Sequence, residues 1–171
     1  MVIRREAASD RDAVHALTAA AFGGRSGAQE PVESKLLGAL RSDPGWIPSL
    51  SLVATVGEEI VGHVVCTRGW IGDLAALALG PIAVVPSQQR QGVGSALMHA
   101  VIGSADALGE SLIALLGDES FYTRFGFVAA GQLGIAAPDP SWGTHFQVRT
   151  LTECPEHVNG TFRYAAPFQD L

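Results

Sequence analysis

The chain is short of cysteine, of positive charge and of long apolar runs, and each shortage closes off a class of function. Cys66 and Cys154 are the two cysteines of its 171 residues, and they form no CxxC or other metal-spaced pattern. Two reduced thiols in a cytoplasmic protein are therefore expected, not a disulfide framework. Eleven Lys and Arg against seventeen Asp and Glu leave a net charge of −6. That balance disfavours non-specific binding to nucleic acid or to an anionic membrane, and mildly favours a cationic acceptor. No uninterrupted apolar run approaches a membrane span. The charged start Met1 to Glu6 has no apolar h-region behind it, so no signal peptide is expected. The histidines lack HExxH or H-x₃-H spacing, and no metal is expected. Charged residues are 16% of the chain and hydrophobic ones 47%. Residues 1–171 are thus expected to form one domain with a good core and some apolar surface left for a ligand or another subunit.

Apolar spacing sets out the elements. A short strand opens at Val2-Ile3. Ser9 is placed as the N-cap of a helix over 10–22, in which Val14, Leu17, Ala21 and Phe22 recur at helical spacing. Gly23 to Gly27 stops that helix, and a second runs from Pro31 to Arg41 with Leu36, Leu37 and Leu40 inward. Strands over Leu50–Val56 and Ile60–Trp70 flank a hairpin turn at Gly57-Glu58-Glu59. A long strand follows at 74–85, and then a helix with Leu97, Val101, Ala105 and Leu108 on one face and Gly109 as its αL cap. Ser111–Leu116 is a strand, 119–125 a short helix, and Gly126-Phe127 the start of another strand. Residues 134–144 read as an irregular loop, Phe146–Leu151 as a strand, and Val158–Tyr164 as a further one. This order predicts an α/β (α+β) fold with a central mixed, mostly antiparallel sheet and helices on both faces.

The most informative stretch is Ser87-Gln88-Gln89-Arg90-Gln91-Gly92-Val93-Gly94-Ser95, between the long strand and its following helix. A glycine-bearing turn that opens a helix offers unpaired backbone N–H groups and partial positive charge to an anion. A nucleotide-binding P-loop would require a lysine followed by serine or threonine, and the chain has no such pair. A dinucleotide fingerprint would require a third glycine where Leu97 stands. The remaining pattern is Gln89-x-x-Gly92-x-Gly94, which resembles the pyrophosphate-binding signature of the GNAT superfamily of N-acetyltransferases. Phe121-Tyr122-Thr123-Arg124-Phe125-Gly126-Phe127, one helix and one strand later, is similar to the Tyr-x-x-x-Gly-Phe element of the same superfamily. Leu50 to Ala54, Gly62-His63, Pro81 to Pro86 and Leu115 to Tyr122 are similar to its YhbS-like bacterial branch. The resemblance is strongest over 50–128 and weakest over 23–31 and 134–145.

The resemblance implies acetyl transfer from acetyl-coenzyme A, the cosubstrate, to a primary amine of a small molecule, peptide or protein. In that scheme the backbone across Arg90, Gln91, Gly92, Val93, Gly94 and Ser95, with Gln89 ahead of it, cradles the pyrophosphate, and Arg90 adds charge. The main chain of Ile82, Ala83 and Val84 pairs with the pantetheine arm, and one N–H there polarises the thioester carbonyl. Tyr122 matches the tyrosine that protonates the departing thiolate, while Phe125 and Phe127 read as core. A base is missing where some relatives have one, because residues 74 to 85 contain no ionisable side chain. Glu33, His63, Asp73 and His145 are the candidates, and a water relay, or an amine that arrives already neutral, needs none of them. His99 reads as a solvated helix residue. The loops 23–31 and 134–145, with Trp142 and His145, are where an acceptor pocket is expected. Relatives are commonly homodimers. A different acyl-coenzyme A, or a non-catalytic acyl-coenzyme A sensor, are the alternatives.

Overall fold

The computed structural model describes residues 1–23 and 30–170. Strands Val2–Arg5 (β1), Trp46–Val56 (β2), Glu59–Ile71 (β3) and Leu74–Val84 (β4) pair antiparallel in that order. β4 then meets Leu112–Leu116 (β5) in parallel. β5 pairs antiparallel with Phe146–Thr150 (β8), whose other edge takes Val128–Ala129 (β6). Gly160–Tyr164 (β9) extends the far edge of β3 at Gly69–Ile71 and pairs in parallel with Ile135–Ala136 (β7). The sheet is mixed and mostly antiparallel, as the sequence predicts.

Both faces are covered, which explains why these strands read as nearly continuous apolar runs. Alternate residues serve opposite layers. Leu52, Ala54, Val64, Cys66, Leu77, Leu79, Ile113 and Leu115 pack with Leu97, Met98 and Val101 of helix Val93–Ala107 (α3). On the other face Val53 and Val65 meet Val14 of helix Arg11–Phe22 (α1) and Leu37 of helix Val32–Leu40 (α2). Ala76, Ala78, Leu112 and Ala114 lie beneath Phe146 and Phe162. The α3 layer packs tightly on the sheet at Gly62, where a Cβ would stand 2.8 Å from Leu97 Cδ1. Phe125 and Phe127 are buried in this same layer, as expected.

Several local expectations shift. Ser9 does not cap α1: residues Ala8–Asp10 form a 3₁₀ turn, and Asp10 accepts a hydrogen bond from the Ala7 N–H at 2.7 Å while paired with Arg4. β2 begins at Trp46, ahead of Leu50, because Pro48 falls inside a register shift where its missing N–H costs no ladder bond. Leu108 caps α3 from outside the core, half exposed, while Leu97, Val101 and Ala105 are buried. Gly109 adopts φ 74° and completes the helix stop, with Glu110 N–H bonded to Ala105 O at 3.2 Å and Gly109 N–H to Asp106 O at 3.0 Å. The short helix at 119–125 is Glu119–Tyr122 (α4) followed by a 3₁₀ turn through Phe125. The strand expected at Gly126 starts at Val128, and the loop 134–144 holds β7 and a 3₁₀ stretch from Pro140.

Candidate active site

The sheet opens where β4 and β5 part. They are in register only at Leu77↔Ile113 and Ala78↔Ala114. Beyond that point β4 carries a bulge: Cys66 faces Leu79 and Val64 faces Ile82, so Gly80 and Pro81 together oppose Val65. Pro81 has no N–H to give a neighbouring strand, and a bulge re-aims the chain, so β4 leaves β5 past Ala78 while β5 stays paired with β8 through Leu116. Val85 N–H bonds to Val61 O on β3 at 3.0 Å. Because backbone groups alternate sides along a strand, Ala83 also faces β3, while Ile82 and Val84 face the vacated edge. Of the three residues expected to hold an extended ligand arm, Ile82 and Val84 turn their backbone to the open edge. Ala83, buried and paired with His63, does not.

That edge leads into the glycine turn. The structure brings Ile82, Val84, Gln89, Arg90, Gly92, Gly94 and Ser95 to one cleft of about 600 Å³. Arg90 at φ 60° and Gly92 at φ 88° bend the chain so that α3 starts pointing at this space. No side chain caps α3, and its first internal bond is Ala96 N–H to Gly92 O at 2.9 Å. The N–H groups ahead of Ala96 therefore have no helical partner and suit an anion. Gln89 and Gln91 shape the turn through their side chains: Nε2 of Gln89 bonds Val84 O at 3.1 Å, and Nε2 of Gln91 bonds Ser87 O at 2.8 Å. Val93 is buried in the core. Two further residues line the cleft that sequence reasoning did not single out, Phe121 and Arg124. Arg124 stacks its guanidinium 4.8 Å from the Phe121 ring centroid and donates from Nε to Phe121 O at 2.9 Å. Its signal was the spacing Phe121-x-x-Arg124, which puts both on one helical face.

A second cleft, of about 500 Å³, begins on the other side of Ile82 and contains Tyr122. Burial, with no compensating charge, pushes the Tyr122 phenol up to about 12. It is a neutral hydroxyl at any physiological pH and so keeps a proton to give. Its ring stands edge-on to Phe121 at 4.9 Å and to Phe127 at 5.9 Å. Among the candidate bases, Glu33 lines this cleft, half-buried at the start of α2. Trp142 lines it too. Asp73 is exposed at the β3–β4 turn, and exposed His145 turns Nδ1 toward Gly117 O at 3.4 Å. His99 is exposed on α3, edge-on to Phe125 at 5.2 Å. The acceptor-loop residues 24–29 lie outside the described residues.

His63 sits elsewhere, fully buried beside Glu6, Ser51 and Arg41. Ser, His and Glu together suggest a nucleophile relay, but the proton directions run the wrong way. Ser51 Oγ donates to Glu6 Oε2. His63 Nε2, 2.9 Å from Ser51 Oγ, must then donate to it, which leaves Nδ1 unprotonated and without a partner. An activated serine would donate to the imidazole instead. Burial lowers the His63 pKa and keeps the ring neutral. Burial alone would raise Glu6, yet His63, Ser51 and Arg41 outweigh it and hold the carboxyl at about 2. This cluster ties β2 and β3 to the residue after β1 and to the C-terminal cap of α2. Among the described residues, no group of three or more His, Cys, Asp or Glu gathers as a metal site.

Comparison with known proteins supplies relatives for this geometry. A family model described as the acetyltransferase (GNAT) domain matches residues 48–129. YjhQ of Escherichia coli K12, described as an uncharacterized N-acetyltransferase, is 33% identical over 143 residues, covering 79% of this chain and 79% of its own. YhbS of the same organism, described likewise, is 30% identical over 163 residues, covering 94% and 92%. The crystal structure of Escherichia coli YhbS in complex with CoA superimposes with a TM-score of 0.86 at 29% identity, over 98% of this chain and 91% of that one. A GNAT family acetyltransferase from Brucella melitensis in complex with acetyl-CoA gives 0.79 at 28% identity, over 98% and 97%.

Proposed function

The chain belongs to the GNAT family of acetyltransferases, and from that premise we propose that it transfers acetyl from acetyl-CoA to a primary amine by direct attack. The observation that carries the assignment is the vacated β4 edge running into the uncapped N-terminus of α3. An extended amide-bearing arm can pair with Ile82 and Val84 as a strand would, while its pyrophosphate meets the N–H groups from Gly92 to Ser95. The positive side chains of Arg90 and Arg124 flank the same cleft. The complexes of YhbS with CoA and of the Brucella protein with acetyl-CoA support the same use of this fold.

Chemistry then falls at Ile82, where the two clefts share a wall. The acceptor nitrogen bonds the acetyl carbon from the second cleft, and the C–S bond breaks. A β4 N–H on the open edge, at Ile82 or Val84, stabilises charge developing on the thioester oxygen. Tyr122 gives its phenolic proton to the departing thiolate and recovers one from solvent. His63, Asp73 and His145 take no part, since none lines the cleft that holds Tyr122. The whole of 1–171 acts as one unit, in keeping with the 98% of the chain that the YhbS superposition spans. Free Cys66 and Cys154 accord with work in the cytoplasm.

The test is thiol release. Purified protein with acetyl-CoA and a broad panel of amines should liberate CoA only when an accepted amine is present, with the acetylated amine seen by mass spectrometry. Tight CoA binding without acceptor-dependent release would make it an acyl-CoA sensor instead.

A further inference from the structure

We propose that the acceptor is a small primary amine carried on an apolar, aromatic-sized body, and that Glu33 is the carboxylate that receives its ammonium group. This rests on the transferase reading above and narrows it. The cleft beside Ile82 is walled by α1, α2, β4, the end of β5, α4 and the C-terminal segment. Its lining is mostly apolar, and Glu33 is its one charged side chain among the described residues. Trp142, Tyr164 and Phe168 form a continuous aromatic wall, with ring centroids 6.2 Å and 4.6 Å apart in succession. Burial raises the phenols of both Tyr122 and Tyr164, so neither brings charge to the cleft.

Two large apolar side chains are exposed together here: Phe22 at 41% and Leu116 at 46%. Both face this cleft. An apolar ligand body would cover them, which gives their exposure a use. The polar content of the wall also selects against other amines. A peptide brings backbone N–H and C=O groups that must be desolvated, and a wall of this composition returns few hydrogen bonds to them. A polyamine brings several charges for one carboxylate. An amine with one ammonium and an apolar body leaves nothing unpaired. Of the two protons the ammonium loses in becoming an amide, one leaves through the Glu33 carboxylate to water before attack. The other balances the proton Tyr122 gives the thiolate.

The experiment compares kcat/KM for 2-phenylethylamine, ethanolamine, spermidine and a tripeptide with a free N-terminus, in the wild-type protein and in Glu33→Gln and Glu33→Asp. Phenylethylamine should exceed ethanolamine by on the order of a hundredfold, the effect of burying one ring. Glu33→Gln should raise its KM about tenfold or more while the KM for acetyl-CoA stays put. In that variant the rate should track the free-amine fraction as pH rises, whereas the wild type stays flatter, and Glu33→Asp should recover part of the loss. A role of Glu33 in folding alone would move neither the pH profile nor the ratio of the two KM values. Transfer that favours spermidine or the peptide, or a Glu33→Gln variant with unchanged amine KM, overturns the proposal and leaves the transferase assignment standing. No acceptor-dependent release with any amine overturns both.

Discussion

Gly117 lies directly under the ring of Tyr122: a Cβ at position 117 would come within 2.3 Å of Tyr122 Cε2 and 3.1 Å of Cδ2. The tyrosine thus stands where it does because the residue closing β5 has no side chain. Phe121 and Phe127 hold the ring from its other sides. A ring fixed in this way can aim its hydroxyl without a hydrogen bond to steer it. Tyr122→Phe keeps the packing and removes the proton, so turnover should fall on the order of a hundredfold or more with the Kd for CoA nearly unchanged. Gly117→Ala keeps the proton and moves the ring, and should lower kcat by about tenfold to a hundredfold. Steady-state rates with CoA affinity by calorimetry check both. If Gly117→Ala were fully active, the ring position would not matter.

The phenol also sets a pH expectation. Held at about 12 by burial, Tyr122 stays protonated beyond the ordinary tyrosine range. The basic limb of kcat against pH should therefore show no fall through pH 10. A fall centred nearer 10 would mean that the group donating to the thiolate is not this buried phenol.

At Gly92 the demand is conformational. The residue sits at φ 88°, and a Cβ there would meet nothing within 4 Å, so bulk alone would not block the turn. Left-handed backbone suits Gly, tolerates Asn and opposes β-branched residues. Gly92→Asn should keep the acetyl-CoA Kd within about threefold, and Gly92→Val should raise it by about tenfold or more. Equal losses in the two would point to crowding of the ligand.

Arg124 tests the electrostatic side of the same cleft. Its position is fixed by Phe121 through both stacking and the Nε bond. Arg124→Ala should weaken CoA about tenfold, in a salt-dependent way, because a charge-assisted contact to phosphate is lost. Pantetheine, which has no phosphate, should bind the variant and the wild type alike. Titrations of both ligands at two salt concentrations decide it.

Much of this arrangement was legible in the order of residues. The glycine turn, the long strand before it and the Tyr122 segment carry local patterns, and local patterns survive translation into structure. What stayed hidden depends on partners distant in the chain. Pro81 sits inside an apolar run, and nothing local says that β5 leaves β4 just before it. Which of Ile82, Ala83 and Val84 turns its backbone to the open edge is set by the register with β3. β7 is two residues long, too short for any period to show. His63 reads as a candidate base until Glu6, Ser51 and Arg41, from distant parts of the chain, are seen to close around it. Glu33 gains meaning only once α2 is seen to border the cleft of Tyr122.

The buried Glu6 cluster makes the last prediction, one of stability against pH. Glu6 is held at about 2 in the folded chain against an ordinary value of 4.5. The unfolded chain therefore takes up its proton first as the solution is acidified. The stabilisation is fully present above pH 4.5 and is lost as pH falls from 4.5 toward 2. Asp10, lowered by its hydrogen bond to Arg4, adds a loss of the same sign. Glu6→Gln removes the charge that pairs with Arg41 and accepts from Ser51, and at pH 7 should cost on the order of 2 kcal/mol, because the guanidinium is left buried without its partner. At pH 2, where the wild-type carboxyl is itself being protonated, the difference between the two proteins should shrink. Urea unfolding of both proteins at several pH values between 2 and 7 measures it. A gap that stayed constant with pH would mean that Glu6 stabilises the fold by packing and hydrogen bonding, with no contribution from its charge.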